Sequence, residues 1–122
     1  LLGDKWRVLD PIAAVIVSLF IIKVAYQLIK PCLEELLERS LPNEVEENIT
    51  RIILSFPQVA EPHHLRTRRI GNNIAIEVHI RLNGDLTLRE AHNITTDIET
   101  KLKKEYGNGT HVGIHMEPIK TK

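Results

Sequence analysis

The residues able to do chemistry in this chain are its histidines and carboxylates, and several fall on one side of alternating segments. Six histidines occur in 122 residues. In Thr110–Glu117 the apolar Val112, Ile114 and Met116 alternate with His111, Gly113, His115 and Glu117. In Ile74–Leu82 the apolar Ile74, Ile76, Val78, Ile80 and Leu82 alternate with Ala75, Glu77, His79 and Arg81. Both patterns predict strands with one apolar and one polar face. His115 and Glu117, two apart on one strand, share a face at about 6–7 Å, so an imidazole and a carboxylate can reach one cation or an adjacent pair. Imidazole with carboxylate suits zinc and its borderline neighbours. The single cysteine, Cys32, lies far from these segments. It rules out a disulfide framework or a cysteine-rich site and reads as a small buried apolar residue. His63 and His64 are adjacent, and on an extended segment His64 points away from its neighbour. It is therefore left out of the site, as is His111 at a strand start.

Catalysis has little support. No Gly-x-Ser-x-Gly elbow occurs, and Cys32 lies in the helical stalk that precedes the domain. A metal-dependent hydrolase needs an open coordination position and a general base, and Glu77 is the one free carboxylate expected on that face. The chain is read as a non-enzyme.

Positioning these groups requires a small mixed domain. Val45, Ile49, Ile52, Ile53 and Phe56 recur at helical spacing after Pro42-Asn43-Glu44. Leu65–Ile70 and Ile74–Leu82 read as a hairpin about Gly71-Asn72-Asn73. Thr87–Tyr106 reads as an amphipathic helix with Leu88, Ala91, Thr95, Ile98 and Leu102 on its apolar stripe, ended by Gly107-Asn108-Gly109. The expected fold is α/β (α+β): an α-β-β-α-β ferredoxin-like domain over residues 43–122, with a sheet whose polar face is left bare. A core of that size is marginal, so metal binding or dimerisation are natural supplements.

The first part of the chain differs in composition. The run from Pro11 to Ile22, PIAAVIVSLFII, has Ser18 as its one polar residue. A bilayer-spanning helix needs about 20 mostly apolar residues, a length met by Val8–Ile29. Trp6 and Tyr26 sit near its ends as interface aromatics do, and Lys23 near one end can snorkel. Lys5 and Arg7 flank one end and Lys30 and Arg39 the other, so charge does not set the orientation. The expected organisation is a membrane helix with its flanks over 1–30, a helical linker over 31–42 and a soluble domain over 43–122. The absence of a starting Met reads as a fragment of a longer chain. Sixteen basic and 16 acidic residues cancel, and aromatics make up 4%. That combination speaks against a nucleic-acid partner.

With these elements in place, the sequence resembles the cation diffusion facilitators, proton-coupled efflux transporters for zinc and related metals. The resemblance rests on L-D-P-I-A-A (9–14), L-L-E-R-S-L-P (36–42), H-H-L-R-T-R (63–68), I-E-V-H-I (76–80), E-A-H-N-I (90–94) and H-M-E-P (115–118). It covers nearly the whole chain, and the order and spacing of four histidine-bearing motifs make it specific. It implies a copper-chaperone-like α/β domain paired as a cytoplasmic homodimer, below the last helix of a multi-pass protein of the cell (inner or plasma) membrane. It also implies that His63, His79, His92, His115 and Glu117 are ligands of a two-metal cluster near the dimer contact, with Zn2+ favoured among the divalent transition metals. Glu117 stands at an acidic ligand position that could bridge two ions. Glu38 resembles a linker acid that pairs with a basic residue of another membrane helix, and His64 stands where relatives commonly carry aspartate. The family's transport motifs lie on earlier helices and are absent from this chain, so this segment is not expected to transport by itself. The rival reading is a ferredoxin-like dimerisation module without metal sensing.

Overall fold

The computed structural model describes residue 3 and residues 7–120, so Lys5 and Trp6 lie outside the described residues. The chain divides into two compact units, residues 1–37 and 38–122.

The first unit is one helix, α1 (Leu9–Leu36), long and apolar enough to cross a membrane. None of its residues is buried, and Ile16, Leu19, Phe20, Ile22 and Leu28 are all more than 60% exposed. Within it, the Ser18 hydroxyl donates to the Ala14 carbonyl at 2.7 Å and the Cys32 thiol to the Leu28 carbonyl at 3.4 Å. Such back-bonding satisfies a polar group inside an apolar helix. Cys32 was expected to be buried and is exposed. The helix continues through Pro31, which lacks an N–H for the Gln27 carbonyl. The first half of the expected linker, residues 31–36, is therefore a continuation of α1.

The second unit has the order α2 (Asn43–Leu54), β1 (Ala60–Ile70), β2 (Asn73–Leu82), α3 (Leu88–Tyr106), β3 (His111–Pro118). This is the expected α-β-β-α-β fold. The three-stranded sheet runs β1-β2-β3, with β1 antiparallel and β3 parallel to the central β2. The hairpin turns at Gly71, whose φ of +57° favours glycine. The β2–β3 connection is α3, as a parallel crossover requires.

Both helices cover the same face of the sheet. Ile49 and Ile53 of α2 join Ile98 and Leu102 of α3 over Ile76, Val78, Ile80 and Leu82 of β2. Val112, Ile114 and Met116 of β3 pack against this core as their alternation predicts. The stripe of α3 is Ala91, Ile94, Ile98 and Leu102, whereas Leu88 is 80% exposed and Thr95 turns its hydroxyl to the His92 carbonyl. A reciprocal capping box holds the start of α3. The Thr87 hydroxyl accepts from the Glu90 amide, and the Glu90 carboxylate accepts from the Thr87 amide at 2.8 Å. Leu41 is buried, and its amide donates to the Thr67 hydroxyl at 2.9 Å. That hydroxyl donates in turn to Glu46 at 2.6 Å, tying the approach to α2 onto β1.

Candidate metal centre

On the sheet's other face the strand register builds a row of imidazoles. His63 pairs with His79 across the antiparallel ladder, and His79 pairs with His115 across the parallel one. Their ring centroids are 5.4 Å and 4.6 Å apart respectively. One step along, Arg81 stands beside Glu117. The Glu117 carboxylate turns back over the row, with one oxygen 3.2 Å from His79 Nδ1 and the other 3.4 Å from His63 Nε2.

Hydrogen bonding fixes where the lone pairs lie. His63 Nδ1 is 2.8 Å from the Glu61 carbonyl. A carbonyl only accepts, so Nδ1 carries the proton and the neutral ring has its free lone pair on Nε2, facing Glu117. His79 Nδ1 donates in the same way to ionised Glu117, which leaves His79 Nε2 open. The hydrogen bond from His79 is the main cause holding the Glu117 carboxyl below its ordinary value. The charge of Arg81 acts in the same direction, and partial desolvation opposes both. Arg81 also pairs with Glu61, and its Nε is buried without a hydrogen-bond partner among the described residues, 3.6 Å from Glu117.

His64 differs from the expectation. Strand alternation would send it away from His63, but β1 has register shifts on both sides of His63 and a φ of +50° at His64. Bulges of this kind re-aim a side chain. The His64 ring comes to 4.9 Å from His63 and 5.1 Å from His79. A warning of the irregularity was present in Pro62, which cannot donate to a ladder and so favours edge strands and bulges.

Among the described residues two groups of metal-capable side chains result: His63, His64 and His79; and His79, His115 and Glu117. Within each, one ligand atom per residue lies within 4.8 Å of the others. The donors are imidazole nitrogens with one carboxylate, a set that fits a borderline divalent cation. His92 belongs to neither group. It is exposed on α3, the helix covering the opposite face, and its backbone carbonyl accepts from Thr95 and Thr96. His111 is exposed at the start of β3 and is also outside both groups. Glu77 is not free, since it accepts from Arg68 at 2.9 Å, which removes the general base a hydrolase would need. Arg68 also lies 3.9 Å from Glu38.

Residues 41–119 match the family model described as the cytoplasmic domain of cation efflux proteins. The cation-efflux pump FieF of Pectobacterium atrosepticum is 33% identical over 110 residues, which cover 90% of this chain and 36% of that protein. The manganese efflux system protein MneP of Bacillus subtilis is 31% identical over 109 residues, 89% of this chain and 37% of that protein. The metal-bound C-terminal domain of the CzcD transporter from Thermotoga maritima superposes with a TM-score of 0.59 at 30% identity, covering 64% of this chain and 91% of that one. The chain belongs to the cation diffusion facilitator, or cation efflux, family and carries its cytoplasmic domain. Its relatives are cation transporters and not enzymes, in agreement with the sequence reading. The chain spans a little over a third of the length of the curated relatives it matches.

Proposed function

We propose that this chain is the C-terminal part of a divalent-cation efflux transporter, with zinc as the cation, whose cytoplasmic domain binds metal and pairs with a second copy to regulate transport. The observation that carries this reading is the convergence of His63, His79, His115 and Glu117 from three strands onto one face. Neutral imidazoles and one carboxylate would hold the ion, which would bind as a regulatory ligand rather than as cargo.

His92 fits the same reading in a different way. Within one chain, α3 holds it on the side of the sheet away from the cluster, so it can join the ligand set only from a neighbouring copy. Metal binding would then favour one arrangement of the pair over another, and that difference in affinity is what allows an ion to bias the attached membrane part. On this reading residues 8–29 lie in the lipid bilayer of the cell membrane, one helix of a multi-pass protein, with the domain on the cytoplasmic side.

The test is sedimentation and calorimetry of the whole chain in detergent, with and without zinc. Stoichiometric zinc uptake accompanied by a shift toward dimer is the expected result. Dimerisation without zinc uptake at neutral pH would leave a plain dimerisation module, and a zinc-indifferent monomer would remove both parts of the proposal.

A further inference from the structure

The strained turn in β1 brings an extra imidazole into the cluster. His64 and Glu61 have φ values of +50° and +45°, in the left-handed region where non-glycine residues are uncommon. Strain of this kind persists where the surrounding structure imposes it, and it gathers at binding sites. Here its effect is specific. With an ordinary extended backbone, His64 would face the helices. With the bulge, both members of the His63–His64 pair face the same side, with ring centroids 5.4 Å and 5.1 Å from that of His79.

The two ligand groups then differ in chemistry. His63, His64 and His79 offer nitrogen only, whereas His79, His115 and Glu117 include a carboxylate. Both groups contain His79, and a neutral imidazole has one lone pair. One ring cannot serve two ions. Glu117 has two oxygens directed to the two sides, one toward His63 and one toward His79. If His79 serves one ion, Glu117 is the side chain placed to complete the other. Without His64, the β1 side would hold His63 and one shared donor, His79 or Glu117, too few to keep an ion of its own.

We propose that His64 is a metal ligand and a selectivity determinant: with His63 it makes the β1 side of the cluster nitrogen-rich, so that the domain takes zinc, cobalt or nickel in preference to manganese. This inference rests on the metal-binding reading above. Its chemistry is that imidazole suits the later borderline cations, while carboxylate and water suit manganese.

The experiment is zinc and manganese titration of the whole chain in detergent, as the unmodified protein and as His64→Ala, His64→Asn and His64→Asp, with circular dichroism of each variant as a check on folding. Asparagine tolerates the left-handed backbone, so His64→Asn removes the imidazole and keeps the turn. In the unmodified chain zinc should bind more tightly than manganese. His64→Ala and His64→Asn should both weaken zinc binding by about 10–100-fold or lower its stoichiometry. His64→Asp should narrow the zinc-to-manganese ratio, because an oxygen donor replaces nitrogen. Unchanged zinc affinity and stoichiometry in His64→Asn would overturn the proposal while leaving the metal-binding reading intact. Loss in His64→Ala alone would overturn it too, by assigning the residue to the turn rather than to the ion. Failure of the unmodified chain to take up zinc would remove both readings together.

Discussion

His63 and Glu117 meet acceptor to acceptor. The Glu61 carbonyl holds the proton of His63 on Nδ1 at 2.8 Å, and this directs the Nε2 lone pair at a carboxylate oxygen 3.4 Å away. Two lone pairs at that separation repel unless a cation lies between them. A metal ion can fill that role, and metal ions compete with protons for imidazole lone pairs. Zinc binding should therefore release protons and weaken as the solution is acidified below neutrality. Calorimetry in buffers of different ionisation enthalpy reads the release directly, and a binding enthalpy that does not depend on the buffer would contradict it.

Glu117 gives a second pH effect in the metal-free chain. Its carboxyl is held below the ordinary value of 4.5, chiefly by the hydrogen bond from His79. A group with a depressed folded-state pKa contributes stability that is present above its unfolded value and is lost as pH falls through the folded one. Acidification below 4.5 should lower the melting temperature of the unmodified chain more than that of Glu117→Gln. Parallel melting curves for the two would count against the contact.

Removing Glu117 should also reduce metal capacity. Its two oxygens approach both His79 and His63, so Glu117→Ala takes a donor from each side of the cluster. The expected outcome is a lower zinc stoichiometry by equilibrium dialysis. His111→Ala, outside both ligand groups, should leave stoichiometry unchanged.

The core makes a sharp contrast along α3. Ile98 is 0% exposed, and Leu88 is 80% exposed. Ile98→Ala should cost about 2–5 kcal/mol, a large part of the stability of so small a domain, whereas Leu88→Ala should change it by less than about 0.5 kcal/mol. Urea titration followed by circular dichroism measures both.

The start of α3 supplies a smaller test. Thr87→Ala removes the hydroxyl that accepts from the Glu90 amide at 3.3 Å, and should cost about 1 kcal/mol. The same titration applies.

The regular parts of the fold were legible because each has an uninterrupted period. Ile74–Leu82 alternates cleanly and is a central strand, and Ile98 and Leu102 follow helical spacing onto the core. The misreadings fall where a local backbone event interrupts the period. The strand β1 begins at Ala60 rather than Leu65, because two bulges and Pro62 break its alternation, and the same bulges reverse the expected direction of His64. Leu88 was assigned to the apolar stripe although it is the first residue of α3, where the helix has not yet reached the sheet. The row of imidazoles itself was only half visible. Alternation put His79 and His115 on polar faces, but it could not show that β3 lies beside β2 in a parallel register that makes them neighbours. Nor could periodicity tie His92 to any partner, because α3 carries it on the other side of the sheet.

The transverse line His63–His79–His115 also has a consequence for folding. Each imidazole sits on a different strand, so an ion seated across the line would act as a reversible cross-link between segments far apart in sequence. Like any cross-link, it would restrict the unfolded chain by closing loops, and the entropy of loop closure grows slowly with loop length. Local fraying of a single loop would not free the ion, because its donors belong to the hydrogen-bonded ladder on both sides of β2. Release would require separating the strands, so the amide protons of β2 should exchange together and more slowly once the ion is in place.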